Sequence, residues 1–107
     1  MTLSELHTVL KATGLPVAYA YFPDDERPGL PNITYEVAYT TNFGADNKVF
    51  SPFTHVDIFL FQREKGSAES SLEAVLEANM LFWDKTETYL NDEKVYQSIY
   101  EVTINAS

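Results

Sequence analysis

The spacing of apolar positions changes along the chain, and each change marks a new element. Leu3, Leu6, Val9 and Leu10 recur at helical spacing and predict a short amphipathic helix over Thr2–Thr13. Thr2 and Glu5 stand three apart at its start, as a capping box requires. Gly14 is placed to close the helix, with Pro16 just beyond, and His7 falls on its polar side. VAYAYF, Val17–Phe22, then reads as a strand, because Val and Tyr suit a pleated surface. PDDERPGLPN follows from Pro23 to Asn32, and its prolines and glycine forbid a helix or a central strand.

Asn32–Thr41 shows the clearest alternation. Ile33, Tyr35, Val37 and Tyr39 share one face, and Thr34, Glu36, Ala38 and Thr40 the other. A second long connection, NFGADNKVFSPF, runs from Asn42 to Phe53. The strand Thr54–Gln62 has two apolar faces: Val56, Ile58 and Leu60 on one, Phe59 and Phe61 beside His55 and Asp57 on the other. That pattern predicts a central strand covered by helix on one side and by a partner or loop on the other. After the turn REKGSAES, Ser70 and Glu73 match a second capping box. Leu72, Val75, Leu76 and Met80 continue it as an apolar helical stripe. Two more strands, about Leu81–Leu90 and Lys94–Ile104, are joined by the turn residues NDEK.

The predicted order is α-β-β-β-α-β-β. Helices and strands do not alternate as a parallel βαβ array requires. The expected fold is α+β, a mainly antiparallel sheet of about five strands with two helices packed on one face. At 107 residues the chain is read as a single domain, residues 1–107.

Composition narrows the function. The chain has no cysteine, so it has no disulfide framework and no thiolate metal site. The start, MTLSELHTVLK, lacks the basic and apolar blocks of a signal peptide. No apolar run approaches the roughly 20 residues of a membrane helix. A soluble protein made in a cell's cytoplasm, with no membrane partner, is expected. Sixteen acidic residues against seven Lys and Arg give a net charge of −9. Nucleic-acid binders gain affinity by neutralising phosphates, so direct DNA or RNA binding is not expected.

Candidate chemistry is sparse. His55 and Asp57 lie two apart on one strand face, but no third ligand at suitable spacing completes a metal site. Ser51 would supply the third residue type of a hydrolase triad, yet no nucleophile turn surrounds it. No glycine-rich phosphate loop is present. The reading is therefore not an enzyme, with no catalytic residue, no cofactor and no metal. Two acidic groups remain. Asp24, Asp25 and Glu26 form a run in the first long loop without the spacing of a calcium loop. Glu69, Glu73 and Glu77 recur every four residues and are expected on the outer, solvated face of the second helix, or turned to a basic partner.

Seven Tyr, seven Phe and one Trp exceed what one small core needs. Tyr19, Tyr21, Phe22, Tyr35 and Tyr39 are expected to fill one sheet face. Phe43, Phe50, Phe53, Phe59, Phe61 and Trp83 are left over, and surplus rings mark an interface unless the long loops fold back over them. Phe43, Phe50 and Phe53 are the candidate subunit-interface residues.

The whole pattern resembles the small tail-terminator and head–tail joining proteins of long-tailed, non-contractile phages and prophages of Gram-positive bacteria. The likeness covers the N-terminal helix, VAYAYFP with its Pro-rich loop, and NITYEVAYT. It is most specific in HVDIFLFQREKGSAESSLEAVLEANMLFWDKTETYLNDEKVYQSIYEVTI. The resemblance implies a virion structural protein, made in the bacterial cytoplasm. It would form a ring, usually sixfold, at the head-proximal end of the tail tube. Its implied partners are other copies of itself, the tail tube protein and a head-completion protein, and isolated protein could be monomeric. The alternative class is a small soluble ligand-binding or interaction domain unrelated to virions.

Overall fold

The computed structural model describes residues 1–41, 44–45, 48–49 and 53–105. Helix α1, Leu3–Lys11, leads into strand β1, Val17–Tyr19. A 3-10 turn at Asp24–Glu26 interrupts the Pro-rich loop before β2, Asn32–Thr41. A small hairpin, β3 (Gly44–Ala45) and β4 (Lys48–Val49), stands apart from the main sheet and was not expected from the sequence. Strand β5, Phe53–Gln62, helix α2, Ser67–Ala78, and strands β6, Asp84–Leu90, and β7, Val95–Asn105, complete the chain. The fold is α+β, as the sequence predicts.

The main sheet has the order β1-β2-β5-β7-β6, with β5 in the middle. All its pairings are antiparallel except that of β1 with β2, which is parallel, so the sheet is mixed. This pairing explains the Pro-rich loop. A parallel neighbour needs a crossover of about a dozen residues to return to the same edge, and residues 20–31 supply it.

Both helices pack on one face. Leu6 and Leu10 of α1 and Ala68, Leu72 and Leu76 of α2 meet Ile33, Tyr35, Val56, Ile58, Leu60, Tyr100, Val102 and Ile104 in one cluster. Helix α1 begins with the predicted capping box: Thr2 Oγ1 accepts from Glu5 N–H at 3.1 Å, and Glu5 Oε1 accepts from Thr2 N–H at 3.2 Å. Gly14, at φ 82°, takes the left-handed turn after the helix.

Helix α2 departs from the reading at both ends. It starts at Ser67, with Gly66 as N-cap and no capping side chain. Ser70 is therefore interior, its N–H bonded to Gly66 O at 3.2 Å, and the second capping box does not form. At the other end, Met80 N–H bonds Glu77 O and Leu81 N–H bonds Leu76 O, at 3.0 and 2.9 Å. That is a Schellman closure with Met80 in the left-handed position, φ 57°. Met80 is accordingly exposed and leaves the apolar stripe, while Leu81 turns into the core instead of opening a strand. Strand β6 begins only at Asp84.

The aromatic assignment also changes. Of the five rings expected on one sheet face, Tyr35 is buried, whereas Tyr19, Tyr21 and Tyr39 are exposed. A register shift between Val37 and Tyr39 breaks the alternation of β2 there. Trp83 packs against the core edge beside Tyr100, with ring centroids 6.1 Å apart.

Candidate interaction surface

The opposite face of the sheet carries no helix. Because residues paired across strands share a face, the register arranges its side chains in rows. Asn32, Phe61, Gln97 and Thr88 form one row, and Thr34, Phe59, Ile99 and Thr86 the next. Glu36, Asp57, Glu101 and Asp84 form the third, four carboxylates side by side across four strands. Tyr39, His55 and Thr103 follow. The Phe59 and Phe61 rings stack at 6.5 Å between centroids, and both stay half-buried beside Ile99. The surface thus has an apolar centre bordered by an acidic band.

Opposed like charges oppose pairing, by a few tenths of a kcal/mol to about 1 kcal/mol for a directly facing pair. The band repeats that opposition across three strand pairs. The sequence gives no warning of this. The four residues are scattered from position 36 to 101 and meet only through the register.

His55 is held rather than free. Its ring stacks on Tyr39 at 4.1 Å between centroids. Its Nε2 lies 2.7 Å from Thr41 Oγ1 and its Nδ1 3.0 Å from Thr103 Oγ1. Both ring nitrogens are thereby occupied by hydroxyls from the two flanking strands. Asp57 belongs to the acidic band and makes no pair with His55. Among the described residues, no group of three or more His, Asp or Glu is placed to hold a metal ion. His7 is drawn into the interior edge, with Nδ1 3.0 Å from Tyr35 Oη. Burial and the neighbouring Tyr19 push the Tyr35 phenol above its ordinary pKa.

Two of the three helix glutamates lie elsewhere than expected. Glu69 and Glu73 face the sheet edge and converge on Lys85 of β6; Lys85 Nζ is 3.0 Å from Glu73 Oε2 and also pairs with Glu69. Tyr100, fully buried on β7, donates to the same Glu73 oxygen at 2.7 Å. Burial alone would raise the Glu73 carboxyl, but the Tyr100 and Lys85 hydrogen bonds outweigh it and hold it below the ordinary range. Burial lowers Lys85, and its bonds to Glu69 and Glu73 outweigh that, so the ammonium sits above its usual value. Burial and then Glu73 push the Tyr100 phenol upward. Glu87 continues the cluster to Lys65 at 2.8 Å. Only Glu77 is exposed as predicted; it borders a small hollow with Met80, Phe82 and Trp83.

Asp24, Asp25 and Glu26 lie exposed on the 3-10 turn, with Asp24 3.6 Å from Arg27. Phe53 opens β5 and is 40% exposed, opposite Thr41 and Asn105. Phe43 and Phe50 lie outside the described residues. Where the Pro-rich crossover passes the end of the open face, Tyr21, Phe22, Pro28 and Leu30 face Phe61 and Val95 across a groove of about 410 Å³. Arg27 and Glu93 stand at its rim.

No helix among the described residues is long and apolar enough to cross a membrane. The chain matches no known family model and no curated protein sequence.

Proposed function

We propose that this protein is a structural component of a phage particle, a tail terminator or head–tail joining protein that works as a ring of identical subunits. The resemblance described above supports this reading. The observation that carries it in the structure is the helix-free sheet face, whose apolar centre of Phe59, Phe61 and Ile99 stays half-exposed, with the Pro-rich crossover passing its Phe61 end. Rings left half-open on a flat, rigid surface suit recognition by shape, as in subunit contacts. A heterologous contact, in which this face meets a different surface of the next copy, gives a ring when the rotation between copies closes. Like-charged acidic bands then need not face one another. The same acidic excess leaves DNA free to pass without adhering.

The reading is tested in the particle, because association costs several kcal/mol in lost freedom and can require the tail tip as template. Phe59→Asp with Phe61→Asp should give filled heads beside overlong or unjoined tails, once circular dichroism has shown the variant folded. Infectious particles with normal tails from that double variant would defeat the interface. Purified virions that lack the protein would defeat the assignment itself.

The groove between the crossover and Phe61 favours a second reading, a small-molecule or peptide binder. Its volume falls within the range of roughly 300–1,000 Å³ typical of ligand sites. Saturable, stoichiometric binding of a small molecule there, by a protein dispensable for the particle, would favour this alternative.

A further inference from the structure

We infer that the groove between the Pro-rich crossover and Phe61 is filled by Met80 and Phe82 of a second copy of this chain. The contact rests on the ring reading above and names the surface of the next copy that the open sheet face meets. The connection from α2 to β6 supplies the knob. Its side chains alternate: Leu81 and Trp83 pack on the core, whereas Met80 and Phe82 turn outward. Phe82 is 83% exposed, more than any other large apolar side chain among the described residues. Its chain neighbours are anchored, so the knob is held in one place and little freedom is lost on docking. Met80 keeps a left-handed backbone, φ 57°, at a helix end where glycine would be free of strain. Strain kept at an exposed side chain points to a task outside the fold.

The groove is the matching hole. Tyr21, Phe22, Pro28, Leu30, Phe61 and Val95 give it apolar walls, and about 410 Å³ has room for a phenyl ring beside a thioether. Phe61 belongs both to the groove and to the apolar centre of the open face, so the two surfaces are continuous. Phe82 does not reach its own groove. Strand β6 runs from Asp84, beside the knob, to Leu90, in the groove lining. Its six steps span about 20 Å, several times the reach of a phenylalanine side chain. One copy therefore engages the next head to tail, the heterologous arrangement. Charge favours the same occupant. Glu77 borders the knob, and Arg27 stands at the groove rim. Arg27 is free to be recruited, because its Asp24 partner is 3.6 Å away with both side chains mostly in water, which makes a weak pair. Glu93, on the turn between β6 and β7, is the opposing charge at the rim.

The test is disulfide trapping in the full chain, which has no cysteine of its own. Met80→Cys and Glu93→Cys proteins, each shown folded by circular dichroism, are mixed in equal amounts and oxidised in air with copper–phenanthroline. The mixed dimer should form in several-fold excess over the two like dimers together. Trapping accumulates even a sparsely populated contact, so no tail template is needed. A mixed dimer only equal to the two like dimers together is random pairing; it would overturn the contact and return the groove to the small-molecule alternative. Phe82→Asp, added to the Met80→Cys chain at a site already in water, should remove the excess, and an excess that survives it would overturn the knob. Arg27→Glu in the Glu93→Cys chain should lower the excess several-fold, and Glu77→Arg in the Met80→Cys chain should restore it. Failure of that restoration would overturn the pairing of Glu77 with Arg27. The particle experiments decide the phage reading separately. Random pairing here beside unjoined tails in the Phe59 and Phe61 double variant would sink this contact alone, whereas excess mixed dimer beside virions that lack the protein would sink the phage reading alone.

Discussion

Tyr100 donates its phenolic hydrogen to Glu73 across 2.7 Å, joining the centre of the sheet to the helix that covers it. The same carboxylate oxygen receives Lys85 from the edge strand. One side chain thus ties α2 to both β7 and β6.

The first prediction concerns pH. Glu73 is held below its ordinary pKa, so its stabilising contribution is complete above the unfolded carboxylate value of about 4.3 and is lost as pH falls through the lower folded value. Lys85 and Tyr100 are both raised. Their contributions are complete below about pH 10 and are lost as pH rises toward the folded values. Glu73→Gln should flatten the acid limb of a plot of melting temperature against pH, and Tyr100→Phe should weaken the alkaline loss. An acid limb in Glu73→Gln identical to that of the parent would show that other carboxylates control it.

Leu76 joins the sheet core and is fully buried. Leu76→Ala should destabilise by about 2–5 kcal/mol, the usual cost of a truncated core leucine. Urea unfolding measures it, and a change under roughly 0.5 kcal/mol would place α2 off the core.

Met80 occupies a left-handed backbone position that L-residues other than Asn and Asp seldom take. Its side chain is 78% exposed, so little packing would be lost on removal. Met80→Gly should stabilise the protein by about 1 kcal/mol. A loss of stability in thermal unfolding would mean that the methionine makes contacts outweighing its backbone strain.

Asp57 sits in the middle of the acidic band, with Glu36 on one side and Glu101 on the other. Asp57→Asn removes two facing repulsions and should stabilise the fold by about 0.2–1 kcal/mol. The gain should shrink as salt rises, because these charges lie near water. A gain independent of salt would assign the effect to hydrogen bonding instead.

The sequence disclosed those features that depend on neighbours in the chain. The Thr2–Glu5 box, the alternation of Ile33 and Tyr35 and the two faces of β5 are all visible as spacing. It misled where the backbone overrode composition. Ser70 and Glu73 have the right spacing for a cap, but Gly66 starts the helix four residues earlier, and Glu73 is taken by Tyr100 and Lys85. Leu81, Phe82 and Trp83 read as strand from their β propensity, yet the left-handed turn at Met80 delays β6 to Asp84. The acidic band was invisible for a different reason. Strand register is a long-range property, and no local window holds Glu36, Asp57, Asp84 and Glu101 together.

The central position of β5 has a consequence for how the molecule opens. It is the one strand bonded both to β2, which carries β1, and to β7, which carries β6. Every route for separating the two halves of the sheet passes through its backbone amides. Those amides should be the last to exchange with deuterium, at a rate set by global unfolding, while β1 and β6 exchange early by fraying from the edges.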